Sequence, residues 1–135
     1  MAQQTTTIRT RRRGKELEDA LYDATLAELA TVYDQLSAFV HGAARGFEEI
    51  SENEEALSRL GFAASMNSLK VGASTTVVDI VGAAMGICGI NGYRQDSQYT
   101  MGRLLRDAYG ASLMVNNDRI LANNAQLLLM NRGMA

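Results

Sequence analysis

Three closely spaced glycines are the residues of this chain whose type and spacing best suit the binding of an anion. Gly86, Gly89 and Gly92 recur at three-residue intervals in the second half of the sequence. Because glycine has no side chain, the backbone N–H groups beside it can approach phosphate oxygens closely. The pattern would therefore suit a cofactor that carries phosphate. In the alternative interpretation, the glycines only end a helix and open an irregular loop that runs to Gln98.

The single histidine and the single cysteine do not predict a metal site. His41 and Cys88 are far apart in sequence, and no second histidine or cluster of acids and cysteines accompanies either of them. Structural and catalytic metal sites need three or four such ligands, so no metal is expected. Cys88 is interpreted as a small core thiol, and His41 as a residue near a helix end where partial positive charge is favoured.

The composition is that of one packed cytoplasmic domain. The 135 residues are 47% hydrophobic and 21% charged, and 13 basic against 15 acidic residues give a formal net charge of -2. This balance excludes general attraction to nucleic acid or to an anionic membrane. No uninterrupted apolar run reaches the roughly 18 to 20 residues that span a bilayer, so no membrane contact is expected.

The elements that must position the glycines are predicted to be helices. Proline is absent, and apolar residues follow helical spacing in four segments. In the first segment, a stripe with steps of four and three residues consists of Tyr22, Leu26, Leu29, Tyr33, Leu36 and Val40. The helices are predicted at about 14–45, 54–87 and 99–111, with a fourth that begins after 116–118.

The connections between these helices are short, which predicts an all-α, antiparallel four-helix bundle. The second helix has apolar residues on two sides and is predicted to be central. Ser51 or Asn53 can cap it, and Asn116, Asn117 and Asp118 offer capping side chains for the fourth helix. Residues 1–13 are predicted to be a flexible basic arm, and residues 14–135 the bundle domain.

The region around the glycines resembles a known family. The sequence from Ala84 to Tyr93 is followed by Gly-Arg-Leu-Leu-Arg-Asp-Ala at 102–108. The acyl-CoA dehydrogenase family typically has Gln-x-x-Gly-Gly-x-Gly-Tyr, a few residues, and then Glu-Arg-x-x-Arg-Asp-Ala. The order of the helices also resembles the C-terminal helical domain of that family, over roughly residues 29–132.

The resemblance implies FAD as the cofactor, because this domain of the family approaches the flavin of a neighbouring subunit. Two departures affect that contact: Gly86 replaces the usual glutamine, and Ile90 replaces the second glycine of the pair. A branched side chain at Ile90 would occupy space near the phosphates. The residues that the resemblance implies for cofactor binding are Gly86, Gly89, Ile90, Gly92, Asn117 and Arg119.

The resemblance also implies that the catalytic base is absent. The family usually continues with Tyr-Glu-Gly-Thr, whose glutamate removes the α-proton of an acyl thioester, and Val115 occupies that position here. Valine cannot accept a proton, and Asp118 is better explained as a favourable charge at a helix start. Some branches of the family place the glutamate on the first helix, where Glu16, Glu18 and Glu28 would be candidates, but no motif selects one.

The arginine-rich beginning resembles a different family. Arg9 and 11–13, followed by Gly-Lys-Glu-Leu-Glu-Asp-Ala-Leu, are similar to the first helix of tetracycline-repressor type regulators, in which a basic arm can contact phosphate. Residues 37–51 lack the helix-turn-helix unit that DNA recognition requires, so nucleic acid is not the expected partner.

The predicted function is that of a stand-alone, C-terminal-like subunit that is catalytically incomplete. It would form a homo-oligomer, or a hetero-oligomer with a flavoprotein chain, and would share FAD and an acyl thioester with that partner. The alternatives are a DNA-associated regulator that uses the basic arm and a helical scaffold that binds an acyl ligand or carrier protein.

Overall fold

The described part of the chain consists of six helices. The structure is a computed structural model that describes the backbone of residues 2–133 and the side chains of residues 13–131. The helices are α1 (Ala2–Ile50), α2 (Glu54–Leu57), α3 (Leu60–Cys88), α4 (Ile90–Tyr93), α5 (Gly102–Met114) and α6 (Asn117–Gly133). No strand occurs in residues 2–133, and the all-α prediction is confirmed.

The first helix is longer than predicted at both ends. It was expected over 14–45, and α1 runs from Ala2 to Ile50. Gly14 lies inside it, because a glycine within a helix costs only about 1 kcal/mol relative to alanine and does not stop propagation. The side chains of Arg9 and 11–12 lie outside the described residues. The division into an arm and a domain therefore stays a prediction.

The predicted second helix is divided in two. The short helix α2 is capped by Asn53, whose side chain accepts a hydrogen bond from the Ala56 N–H at 3.0 Å. Asn53 was one of the two residues predicted as caps. The chain then turns at Arg59, whose backbone is extended, before α3 begins. This turn reverses the chain direction, so that Phe62 of α3 stacks on Phe47 of α1 with ring centroids 6.4 Å apart.

The helix α3 lies between the other long helices, as its two apolar sides predict. It packs against α1 on one side and against α5 and α6 on the other. The helices α5 and α6 follow one another along α3 and are both antiparallel to it. At one end the Met101 N–H donates to the Gly92 carbonyl at 2.8 Å, and at the other Asn131 lies near Gly61.

The sites where α3 meets its neighbours contain small and polar side chains. Among the described residues, the buried apolar side chains are those of Ala56, Ala64 and Ala108, and the buried polar ones are those of Ser74 and Asn124. None of the large described side chains is fully buried. The larger apolar residues of α3 are half-buried instead.

By length and composition alone, α3 is long and apolar enough to cross a membrane, with a mean hydropathy of 1.6 in its most apolar window. It is the one such helix in the described part of the chain. Core helices of soluble proteins meet the same criterion, and α3 also contains Lys70, whose ammonium group bonds to Asn117 of α6. The absence of membrane contact stays a prediction.

Candidate functional site

The turn at the end of α3 requires glycine at one position because of its backbone angles. Gly89 has φ 59° and ψ -142°, in a region that side-chain-bearing residues rarely adopt. Its N–H donates to the carbonyls of Met85 at 2.9 Å and Gly86 at 3.3 Å, which ends the helix. This glycine is therefore explained by the geometry of the turn.

The turn requires glycine at a second position because neighbouring atoms are close. A Cβ added to the buried Gly92 would lie 2.8 Å from the Cβ of Cys88 and 3.3 Å from the carbonyl oxygen of Met85. The Gly92 N–H donates to the Gly89 carbonyl at 3.0 Å, and one turn of helix, α4, forms where an irregular loop was predicted. The short helix begins at Ile90, with Gly89 as its N-cap residue.

Several backbone donors of the turn are used to hold the turn itself. The N–H groups of Gly89, Gly92 and Tyr93 all donate hydrogen bonds to carbonyls within the turn. The side chain of Ile90 is 68% exposed, and an added Cβ at Gly86 would meet no atom within 4 Å. Gly86 and Ile90 therefore offer an exposed surface at this end of the bundle, whereas the N–H groups of Gly89, Gly92 and Tyr93 are engaged within the turn.

The remaining predicted cofactor residues lie elsewhere. The side-chain amide of Asn117 donates to the Ser74 hydroxyl of α3 at 3.0 Å, and Arg119 is exposed two residues farther along α6. Ser74 and Gly86 are twelve residues apart on one helix, which corresponds to about 18 Å along its axis. The six predicted residues thus fall into two groups rather than one site.

Lys70 is a residue of this second group that the sequence analysis missed. Its ammonium group donates to the Asn117 side-chain oxygen at 2.6 Å and also to the Val115 carbonyl. Ser74 completes the cluster, which we call the α5–α6 junction cluster: Lys70, Ser74, Val115 and Asn117. The sequence did contain one signal for this role: Lys70 is a charged residue, one helical turn before Ser74, in a helix that is otherwise strongly apolar.

Val115, the position that the resemblance assigns to the family's base, lies at this junction, and none of the junction's hydrogen bonds involves a described carboxylate side chain. The side chain of Val115 is 54% exposed, while its carbonyl is held by Lys70. Asp118 is exposed at the beginning of α6, and its N–H donates to the Asn116 side chain at 2.7 Å, which makes Asn116 the cap of that helix. Among the described side chains, none of the ion pairs involves Lys70.

The acidic residues of α1 are not close to the junction. The ring of Phe39 lies 3.5 Å from the position of an added Cβ on Gly72, so this part of α1 is level with Lys70 on α3. Glu28 is eleven residues away from Phe39, which corresponds to about 16 Å along α1. Glu16 and Glu18 lie farther still along the same helix. None of these candidate carboxylates therefore meets Val115 within the described fold.

Two further hydrogen bonds fix α6 against α3. The Asn124 amide donates to the Ser68 hydroxyl at 3.1 Å, and its oxygen accepts from Asn67 at 3.5 Å. Since Asn124 is buried, leaving it without partners would cost roughly 1–3 kcal/mol. These bonds, together with the junction cluster, determine the register between the two helices.

The loop after the glycine turn carries an exposed ion pair. The Arg94 guanidinium donates to both carboxylate oxygens of Asp96, at 2.9 and 2.6 Å, and holds the pKa of Asp96 below its usual value. Arg103 and Arg106 each lie 3.6 Å from the carboxylate of Asp107, with exposed side chains. Exposed pairs contribute about 0–1 kcal/mol, so the Arg-Asp pair of the motif is a surface feature here.

No group of three or more histidine, cysteine, aspartate or glutamate side chains that could hold a metal ion occurs among the described residues. His41 is engaged locally, with its Nδ1 atom 2.7 Å from the Ser37 carbonyl oxygen. Cys88 is half-buried at the end of α3 rather than in a core.

Comparison with known families supports the resemblance. The profile described as Acyl-CoA dehydrogenase, C-terminal domain, matches residues 2–124. Comparison with curated proteins and with solved structures gave no match. The matched range includes α1, α3, the glycine turn, the α5–α6 junction cluster and the first half of α6. This chain therefore belongs to the acyl-CoA dehydrogenase family, of which it contains the C-terminal helical domain.

Proposed function

We propose that this chain is an accessory or oligomerising partner of a flavoprotein, and that it does not catalyse dehydrogenation by itself. The supporting observation is the exposure of large apolar side chains on α1, α5 and α6. Tyr33 of α1 is 60% exposed, Leu113 of α5 is 76% exposed and Leu129 of α6 is 71% exposed. Apolar surface of this extent is typical of interfaces rather than of isolated monomers.

The α5–α6 junction cluster supports the catalytic part of the proposal. Proton removal from an acyl thioester requires a base within hydrogen-bonding reach of the α-carbon. The side chain of Val115 provides no base. The charged group that is hydrogen-bonded to its backbone is the ammonium of Lys70, which donates protons and cannot accept one. A partner chain would have to supply the base, or the assembly has a different activity.

The full-length enzymes of this family bind FAD, and the partner chain would supply most of that site. In this chain, Gly86, Gly89, Ile90 and Arg119 are the predicted cofactor residues that are exposed. Because the N–H groups of Gly89, Gly92 and Tyr93 are already engaged within the turn, the main contribution of the turn is a contact surface for the cofactor or for the chain that holds it. Any flavin would therefore be retained only in the assembly.

The test is to purify the chain alone and after co-expression with an acyl-CoA dehydrogenase-type flavoprotein encoded beside it. We expect colourless protein from the first preparation, and from the second a complex that has the summed mass and a flavin spectrum. Sedimentation mass and absorbance are measured on the same samples. Oxidation of an acyl thioester by the flavin-loaded chain alone would contradict the proposal, and so would a colourless monomer in both preparations.

An apolar cleft favours a second candidate function, the binding of an acyl chain. The cleft lies between α1 and α3, has a volume of about 480 Å³ and is lined by the aromatic rings of Phe39, Phe47 and Phe62 together with Met66 and Leu69. Its size and lining suit the alkyl portion of an acyl ligand or of an acylated carrier protein.

We expect Gly46→Leu to abolish acyl binding if this cleft is the site. Gly46 lines the cleft, and an added Cβ there meets no atom within 4 Å, so the larger side chain can fill the space without strain. The measurement is calorimetric titration with a long-chain acyl thioester. Gly14→Leu, also in open space on α1 but far from the cleft, serves as the control. Equal binding by both variants would remove this candidate.

A further inference from the structure

The glycine turn contains a pair of residues that can react with each other. Asn91 and Gly92 form the one Asn-Gly pair of the sequence, and both lie in the one-turn helix α4. Asn91 is exposed, whereas Gly92 is buried. An asparagine that is followed by glycine is prone to lose its side-chain amide, because no side chain hinders the approach of the glycine nitrogen. The turn therefore contains a candidate site of chemical modification.

The reaction at such a pair needs no enzyme and no co-reactant other than water. The backbone nitrogen of Gly92 attacks Cγ of Asn91, so that the bond from this nitrogen to Cγ forms and the bond from Cγ to Nδ2 breaks. The proton of the Gly92 N–H leaves with the amide group as ammonia. Water then opens the five-membered succinimide ring at one of its two carbonyls, which leaves aspartate or isoaspartate at position 91.

The folded turn opposes the first step in two ways. The Gly92 N–H donates to the Gly89 carbonyl at 3.0 Å, so the proton that must leave is engaged in a hydrogen bond. Ring closure also requires rotation about the backbone of Asn91, and the bond from the Tyr93 N–H to the same carbonyl, at 3.4 Å, opposes that rotation. The nitrogen is therefore free to attack only when α4 opens.

The helix α4 is a weakly held element. It has four residues, its N-cap residue Gly89 provides no side-chain hydrogen bond, and the backbone is extended again at Arg94. Short segments with few buried contacts open locally at a much smaller free energy than the one that unfolds the whole protein. Opening of α4 is therefore expected to be frequent compared with unfolding of the bundle.

The product of the reaction does not fit the closed turn. Isoaspartate adds one carbon to the backbone between positions 91 and 92, and it carries a negative charge. Space at Gly92 is already limited, since an added Cβ there would lie 2.8 Å from the Cβ of Cys88. The modified turn is therefore expected to stay open, which changes the exposed surface that Gly86 and Ile90 form at this end of the bundle.

We propose that Asn91 is a site of spontaneous deamidation and that the glycine turn sets the rate of this reaction. With age, the chain would acquire a more negatively charged form in which the turn is open. The inference concerns the chemistry of the chain itself, so it does not depend on the proposed function.

Mass spectrometry measures the reaction after the purified chain is incubated at mildly alkaline pH in water that contains heavy oxygen. The oxygen that replaces the amide nitrogen comes from the solvent and labels the product. We expect label at Asn91, with incorporation at least about tenfold faster in a free peptide of residues 84–98, because the peptide lacks the packed turn. Asn53 is the internal control, since it is also exposed but is followed by Glu54, whose side chain hinders ring closure.

A variant tests whether the turn controls the rate. Gly89→Ala places a side chain at φ 59°, where it is strained, so α4 is expected to open more often and Asn91 to react several times faster. Gly86→Ala is the matched control and is expected to react like the wild type, because its added Cβ meets no atom within 4 Å. Circular dichroism and the rate at Asn53 check that the bundle stays folded in both variants.

Four results would overturn the proposal. Asn91 in the folded chain could stay unlabelled when the peptide is fully converted, or Asn53 could be labelled as fast as Asn91. The folded chain and the peptide could react at the same rate, or Gly89→Ala could leave the rate unchanged. If that variant unfolds, the wild-type chain in urea takes its place, and the rate at Asn91 must then rise more than the rate at Asn53.

Discussion

Replacing Gly92 with alanine is expected to destabilise the protein by about 1–3 kcal/mol, the usual cost of forcing an extra carbon into a closely packed position. The new Cβ would lie 2.8 Å from the Cβ of Cys88, 3.3 Å from the Met85 carbonyl oxygen and 3.5 Å from the Met85 Cα. These atoms all belong to Met85 and Cys88, which lie in the last turn of α3. Either the glycine turn or the end of the helix must therefore move.

Urea unfolding, followed by circular dichroism, measures this effect, and Gly86→Ala is the matched control. Gly86 lies in the last turn of α3, beside Met85 and Cys88, but its added Cβ meets no atom within 4 Å. Alanine is favoured over glycine in a helix by about 1 kcal/mol, so the control is expected to be as stable as the wild type or more so. Equal destabilisation of the two variants would show that the close contacts at Gly92 do not determine the requirement for glycine.

Replacing Lys70 with methionine is expected to cost about 2 kcal/mol, because hydrogen bonds from a charged donor to two acceptors are lost. The side chain keeps its apolar stem, but the Val115 carbonyl and the Asn117 side-chain oxygen lose the ammonium group. Asn117 retains its contact with Ser74 at 3.0 Å, so α6 is expected to remain folded but with a loosened beginning.

Two measurements distinguish this local loosening from a general loss of stability. Urea unfolding gives the total cost, and amide hydrogen exchange at residues 117–121 reports opening of the first turn of α6. Lys70→Arg, which keeps the charge and the donors, is expected to recover part of the stability. Unchanged exchange at these amides in the methionine variant would mean that Lys70 does not hold the junction.

Much of the helical structure was predictable because it depends on neighbouring residues. The absence of proline and the spacing of apolar residues predicted the four long helices within a few residues at most ends. Asn53 and Asn116 were both among the predicted caps, since a capping side chain bonds to N–H groups only two or three residues away. The motif from Ala84 to Ala108 was sufficient to indicate the family that the profile match shows.

The candidate site was less predictable because it depends on contacts between distant segments. The bonds from Lys70 to Val115 and Asn117 join residues 45 and 47 positions apart. Helical spacing indicates which side of α3 carries Lys70, but not which helix lies opposite. For the same reason, the sequence did not reveal that Asn117 and the glycine turn would lie about 18 Å apart along α3.

The sequence alone determined the four long helices, the capping residues Asn53 and Asn116 and the family to which the chain belongs, because periodicity, capping and motif are properties of residues that are close in the chain. Only the tertiary structure decided that α5 and α6 follow one another along α3, that Lys70 holds the junction between them, and that the α1 stripe is left uncovered. These features depend on which apolar and polar faces meet. An apolar stripe predicts that some face will cover it, but the covering face is selected by packing and hydrogen bonds across the whole fold.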